Sequence, residues 1–219
     1  MSYKIVVARY NEDIDWLASE QENLVIINKG SILNNANERI VENVGRESDS
    51  YLQYIIKEYD NLPDIIVFTQ ANIADHRGKN DVQYLLSLRE EAYRYGKSVP
   101  IIKHSKSQHN GCWDPQFNKR IYMKCWWDPY LKNLMENYFL QNNYWNNKPI
   151  SFIDWFQQNI QKEYPNPIFI YYNAIFAVSK HLIRNHPREY YEKLKKTVDH
   201  HINPAEGQFF ERSWFYIFS

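Results

Sequence analysis

The stretch "IIVFTQANIADHRG", Ile65 to Gly78, joins an apolar run to a segment that sets one carboxylate beside one imidazole, Asp75 and His76. Mg²⁺ and Mn²⁺ take hard oxygen ligands, and a pair of acids after a strand is a common way to hold them. Here one acid and one histidine could supply two ligands to Mn²⁺, with water and ligand oxygens completing the shell. Arg77 and Lys79 offer a second chemistry, neutralising an anion with no metal. A third reading needs no ligand: Asp75 caps the helix beginning near Asp81 or makes an Asx turn, and His76 is exposed.

A second candidate is Glu211, the one acid inside the aromatic segment "GQFFERSWFYIFS". A carboxylate between Phe210 and Trp214 is expected to be semi-buried, and desolvation raises its pKa toward that of a useful general base. The bland alternative is a buried Glu that bonds a strand end. Gly45, Arg46 and Glu47 open a predicted helix, where backbone N–H groups and a guanidinium could meet an anion; equally, Arg46 and Glu47 are solvated first-turn charges. Asp13 and Asp15 form an Asp-x-Asp, but they follow the first strand and read as the acids of a helical first turn rather than as a metal site. His104, His109, Cys112 and Cys125 lack the two close ligand pairs of a structural zinc site, so two reduced cysteines beside tryptophans is the preferred reading.

The elements that must position these residues are legible in the pattern. "YKIVVARY", "NLVIINKG" and "DIIVFTQ" are short apolar runs that stop abruptly in polar residues, as interior parallel strands do. Between the second and third, Tyr51, Leu52, Ile55, Ile56 and Tyr59 make the stripe of a helix packed on a sheet, stopped by Asn61 and Pro63. That order predicts an α/β fold with a doubly wound sheet, whose ligands sit beyond the carboxyl ends of the strands. Those ends carry Ala8, Arg9, Tyr10, Asn28, Lys29, Gln70 and Asn72. Tyr10 and Arg9 could serve a base and a ribose through stacking and hydrogen bonds.

Farther on, "DVQYLLSLREEAYRYG" reads as a helix and "HSKSQHNGCWDPQFNKRIYMKCWWDPY" as a polar, aromatic insertion. Its triplets Trp113 to Pro115 and Trp127 to Pro129 read as turns, each with a packed Trp. "PIFIYYNAIFAVSK" supplies one or two strands. Ser179 can cap "KHLIRN", and Pro187 opens a helix on which Tyr190, Leu194 and Val198 share a face.

Composition narrows the classes. The chain has 219 residues, enough for one α/β domain with a sizeable core. Its 26 basic and 26 acidic side chains give no net field toward nucleic acid or an anionic membrane, so any phosphate affinity must be local. No apolar run approaches the roughly 20 residues that span a bilayer. Two cysteines and an amino terminus without signal-peptide character point to a reducing, cytoplasmic setting. Aromatics reach 16%, with 18 Tyr and 7 Trp, which fits either surfaces that stack on sugar-like ligands or rings that replace Leu in the core. With 6 Gly a glycine-rich phosphate cradle is excluded, and no phosphate loop or Gly-x-Ser-x-Gly marks a phosphotransferase or an α/β hydrolase.

At "VVARYNEDIDWL", "NVGRESDSYLQYIIKEYDNLPDIIVF", "NAIFAVSKHLIRNHPREYYEKL" and "FERSWFYIF" the sequence resembles a family found in fungi, bacteria and large DNA viruses, which includes the amino-terminal domain of a chlorella-virus glycosyltransferase. The matches cover roughly residues 3 to 70 and 173 to 219, and the segment from about Gly78 to Tyr172 matches poorly. The resemblance implies a single GT-A-like, Rossmann-like domain over residues 1–219, with a central mixed, mostly parallel sheet flanked by helices. It implies a nucleotide-binding half (1–80) and an acceptor half (81–219). It also implies a nucleotide-sugar donor, expected to be a UDP-sugar, a divalent metal, Mn²⁺ or Mg²⁺, bridging the diphosphate, and a glycan or glycoprotein acceptor. The family's loop after the third strand is richer in acids than Gln70 to His76, and its acid near the carboxyl terminus falls on Glu211. Abundant Asn, Tyr, Ile and Lys suit an AT-rich genome such as that of a large virus.

The expectation is therefore a nucleotide-sugar-dependent glycosyltransferase. Glu211 is its base, Ala8, Arg9, Tyr10, Asn28, Lys29, Arg46, Gln70, Asn72 and Arg77 hold the donor, and Asp75 and His76 hold the metal. The competing expectation is a carbohydrate- or nucleotide-binding module that keeps the fold and has lost catalysis.

Overall fold

The computed structural model describes residues 1–98, 112–114, 118–120, 150, 152–164 and 174–219. Three apolar runs form the centre of the sheet: β1 (Tyr3–Arg9), β2 (Leu24–Asn28) and β4 (Ile65–Gln70), with a short edge strand, β3 (Glu38–Ile40). β1 pairs in parallel with β2 on one side and with β4 on the other, so that Arg9 lies opposite Asn28 and Ala8 opposite Gln70. Two further strands, β5 (Lys97–Ser98) and β8 (Phe176–Ser179), complete the order β3-β2-β1-β4-β8-β5, with β8 antiparallel to both of its neighbours. The result is a single α/β domain with a mixed six-stranded sheet of Rossmann-like order. Cys112–Asp114 (β6) and Asn118–Arg120 (β7) form a separate antiparallel pair.

Side chains alternate across a strand, so one strand feeds two cores. Val6, Val25, Ile27, Ile66, Phe68, Phe176 and Val178 face the larger one. It is covered by α1 (Arg46–Glu58), α4 (Phe152–Ile160), α6 (Arg188–Lys195) and α7 (Gly207–Ile217). Ile5, Val7, Leu24, Ile26, Ile65 and Val67 face the other, where Leu17 of the 3₁₀ segment Asp15–Asn23 and Leu85, Leu88 and Ala92 of α3 (Val82–Tyr95) pack. Helices on both faces explain why the strands read as continuous apolar runs.

Many of the aromatics are core. Tyr51, Phe68, Phe176, Trp214 and Phe218 form one run of ring contacts, with centroids 4.8–5.9 Å apart. Tyr190, Leu194 and Val198 are all buried on the shared face.

The stop signals act locally. Asp81 Oδ1 accepts from the N–H of Gln83 and caps α3, so Asp75 does not perform that task. Ser179 Oγ accepts from the N–H of Leu182 at the start of the one-turn α5 (Lys180–Ile183). Pro187 stands at the cap of α6 rather than within it. Asp13 Oδ1 accepts from the N–H of Asp15 as the 3₁₀ segment opens. The terminal "GQFFERSWFYIFS" is helical, so Glu211 lies on a helix face and not at a strand end. His104, His109, Cys125, the triplet Trp127 to Pro129 and residues 165–173 lie outside the described residues.

Candidate active site

The strand order reverses beside β1, where the chain passes to β2 on one side and to β4 on the other. The crevice of such a sheet opens beyond the carboxyl ends of the two strands at that switch. Arg9–Tyr10 and Gln70–Asn72 stand there.

Much of this edge is tied internally. Arg9, 6% exposed, donates from Nε to the Glu12 carbonyl and from Nη1 to Asn28 Oδ1 at 2.9 Å and the Ser31 carbonyl at 2.8 Å. Asn28 is fully buried and donates to the Ser31 carbonyl and to Glu38. Gly30 is required in this turn, because a Cβ there would lie 1.5 Å from the Tyr10 carbonyl oxygen. Tyr10 keeps an exposed ring, 51% accessible, beside this braced loop. Ala8 is half-buried against the larger core. Gln70 Oε1 is buried, and no donor reaches it among the described residues.

Lys29 follows β2 and points at the start of α1. Its ammonium donates to the carbonyls of Val44 and Arg46, the latter at 2.6 Å, and pairs with Asp49 Oδ2 at 2.9 Å. Asp49, fully buried, also faces Lys195 of α6 at 3.2 Å and accepts from Gln53 Nε2 at 2.7 Å. Burial pushes the Lys29 pKa down, against the pull of Asp49. The lysine therefore fastens a turn of unusual backbone: Gly45 and Arg46 both have positive φ, 66° and 50°. Gly45 suits that conformation, and Arg46 adopts it under tertiary constraint. The Gly45 N–H donates to the His201 carbonyl at 2.8 Å, and Arg46 Nη1 donates to Asn203 at 3.2 Å, so the segment leading into α7 holds the turn from the other side.

This clamp brings "GRES" and "FERSW" together. The Glu47 side chain, 7% exposed, lies 3.6 Å from the Arg46 guanidinium. Glu211, 23% exposed, lies 3.5 Å from the guanidinium of Arg212, which is buried and also donates to the Gln208 carbonyl. Desolvation raises the Glu211 carboxyl above its ordinary value; Arg212 opposes this, Glu47 adds to it, and Arg46 opposes it. Such surroundings favour the protonated form, so this carboxylate binds a proton more readily than an exposed one. Sequence reasoning identified Glu211 and Arg46, and left Glu47 open between an anion contact and a solvated charge. The structure buries it. Arg212 and Asp49 were missed; their one sequence signal is a charge inside an otherwise buried helical face.

The loop after β4 does not join this cluster through any described contact. Asn72 is exposed and its Oδ1 accepts from the N–H of Ala74, opening the single turn α2 (Ala74–Arg77). Asp75 is exposed on that turn, and the Arg77 guanidinium lies 3.9 Å from the centre of the Tyr84 ring. The His76 side chain lies outside the described residues. Among the described residues no group of three or more His, Cys, Asp or Glu is assembled that could hold a metal ion. Also among the described residues, no helix is long and apolar enough to cross a membrane.

Neither a curated protein nor a solved structure matches the chain. A family model described as "Protein of unknown function (DUF3431)" matches residues 5–219, and on that extent the chain belongs to the DUF3431 family.

Proposed function

We propose that the protein is a glycosyltransferase that moves a sugar from a nucleotide-sugar donor, a UDP-sugar on the resemblance, to a hydroxyl of a glycan or glycoprotein acceptor. The observation that carries this reading is Glu211: a half-buried carboxylate on α7 with a raised pKa, set among the charges of Glu47, Arg46 and Arg212, in a fold whose sheet has Rossmann-like order. In a single displacement Glu211 takes the acceptor's hydroxyl proton as that oxygen bonds to the anomeric carbon. The bond from that carbon to the diphosphate breaks, and the diphosphate leaves with the electron pair. Arg46, whose side chain is 42% exposed, is the guanidinium of the cluster that faces solvent and is open to an anion, beside its contacts with Glu47 and Asn203. Tyr10 offers an exposed ring for stacking. Asp75 and His76 are the residues that would hold a divalent metal, which would supply charge neutralisation to the departing diphosphate.

Calorimetry with UDP, GDP and CMP, with and without Mn²⁺, tests the donor site, and binding of none of them refutes the reading. Glu211→Gln is expected to bind donor as the unmodified protein does and to lose about 10²- to 10⁴-fold in transfer rate, the usual contribution of a general base; full activity in that variant removes the assignment.

One observation favours the binding-module reading: Arg9, Asn28 and Lys29, three of the expected donor contacts, are engaged in internal bonds. Sustained release of nucleotide from a nucleotide sugar by the purified protein discriminates in favour of the enzyme.

A further inference from the structure

At the amino-terminal edge of the sheet, where Tyr3 opens β1 and Ile65 opens β4, lies a cavity of about 300 Å³ lined by Met1, Tyr3, Ile65, Arg89, Glu90 and Tyr93. The candidate active site is at the other edge: β1 has 7 residues at about 3.3 Å each, which separates the two by about 20 Å. Small-molecule pockets run from about 300 to 1,000 Å³, so this one has room for a single ring and not for a nucleotide sugar. Part of its wall is fixed in advance. Tyr3 donates its hydroxyl proton to Glu20 and accepts from Asn23 Nδ2 at 2.8 Å, and the Arg89 guanidinium lies 4.6 Å from the centre of the Tyr3 ring. Arg89 and Tyr93 are one helical turn apart on α3 and share a face, so the exposed Tyr93 side chain borders the same cavity.

We propose that this cavity is a second binding site, which takes one neutral sugar ring of a glycan. The charge balance selects against anions: Arg89 donates from Nε at 3.2 Å and from Nη2 at 2.6 Å to one oxygen of Glu90, so its guanidinium is already neutralised. Arg89 Nη1 and Glu90 Oε2 have no hydrogen-bond partner among the described residues, and they set a donor beside an acceptor. Two neighbouring hydroxyls of a sugar meet such a pair, one accepting from the guanidinium and the other donating to the carboxylate. A flat heterocycle gains most between two aromatic faces, and here Arg89 already covers one face of Tyr3. A sugar ring needs a single aromatic for its C–H face, and Tyr93, 57% exposed, supplies it. The inference does not rest on the reading of Glu211 as a base.

The test is saturation-transfer difference NMR with methyl glucoside, methyl galactoside, methyl mannoside and N-acetylglucosamine, with sulfate and UMP as the charged and the flat competitors. At least one sugar should bind, with saturation strongest on its ring C–H protons. Tyr93→Ala, at an exposed position that the fold tolerates, should weaken that sugar about tenfold, and Tyr93→Phe, which keeps the ring, by less than about twofold. Arg89→Gln should weaken it about tenfold as well, through the lost charge-assisted bond. Binding of none of the four sugars overturns the proposal, as does binding that Tyr93→Ala and Arg89→Gln leave unchanged. Displacement of the sugar by sulfate or UMP also overturns it. UDP calorimetry on the same proteins keeps this site and the donor site distinguishable, since Tyr93→Ala should bind UDP as the parent does. Sugar binding without UDP binding refutes the donor site alone, and UDP binding without sugar binding refutes this site alone.

Discussion

Replacing Lys29 by Met tests the clamp on which the candidate site depends. The lysine side chain is 5% exposed and Asp49 is fully buried, so the variant leaves a buried carboxylate and the carbonyls of Val44 and Arg46 without the ammonium that meets all three. Breaking one partner of a buried pair costs about 3–5 kcal/mol. Asp49 keeps Lys195 at 3.2 Å and Gln53 at 2.7 Å, which places the expected loss at the lower end, about 3 kcal/mol. The lowered Lys29 pKa means that pairing with Asp49 does not fully repay the desolvation of the ammonium. Removing both charges should therefore cost less than the two single changes added together: Lys29→Met with Asp49→Asn should show a coupling of about 1–2 kcal/mol. For a domain of this size the single loss corresponds to a drop in Tm of roughly 6–12 °C, read by circular dichroism. Urea midpoints for the two single variants and the double variant give the cycle. A Lys29→Met protein that melts within about 2 °C of the parent, or a double variant whose loss equals the sum of the singles, refutes the clamp.

Gly45→Ala should destabilise by about 2–4 kcal/mol, combining the penalty of a side chain at φ 66° with a Cβ placed 2.4 Å from Asp49 Cβ and 2.9 Å from the Val198 carbonyl oxygen; a melt unchanged from the parent would contradict the turn. Lys97, under the carbonyls of Phe215 and Phe218, has its pKa lowered to about 8 by burial and the nearby Lys162. From about pH 8 up to the ordinary lysine range the unfolded chain holds a proton that the folded one has released, so this group makes stability rise with pH across that window. Tm measured at pH 7, 8.5 and 10 for parent and Lys97→Met should therefore differ in slope, the variant gaining less between the first and last points; parallel curves would exclude the shift.

The sheet was legible because its strands obey a simple rule. Interior parallel strands are buried on both faces, so β1, β2 and β4 appear as unbroken apolar runs ending in Arg9, Asn28 and Gln70. The helix stripe from Tyr51 to Tyr59 was visible for the same reason, with a period of 3.6 in place of 2. The terminal segment was harder. Phe209, Phe210, Trp214 and Ile217 follow a helical spacing, but aromatics also dominate strands, and the run is short enough for either. Covering the larger core, between α1 and α4, decided the matter.

The site was legible only in part, because a charged residue at the end of a strand or the start of a helix looks the same whether its partner is a ligand or another part of the chain. Lys29 has the position of a phosphate contact, yet its partners are Asp49 and two carbonyls of the turn before α1. Arg9 has the position of a ribose contact and instead ties Asn28 to the loop after β2. Glu47 has the position of a solvated first-turn acid and is buried, on a helix that packs through Tyr51 against Trp214 of α7, from the far end of the chain. In each case the missing information is a contact between segments distant in sequence, which local spacing cannot encode. A residue whose bonds are complete within the chain contributes to a site by holding its shape, whereas Glu211 is half-buried and raised in pKa by desolvation, which disfavours its ionised form. The proposed catalytic role accounts for a chain that retains such a group while bracing the turn beside it with a lysine, two carbonyls and a buried aspartate, since rigid surroundings can maintain local strain.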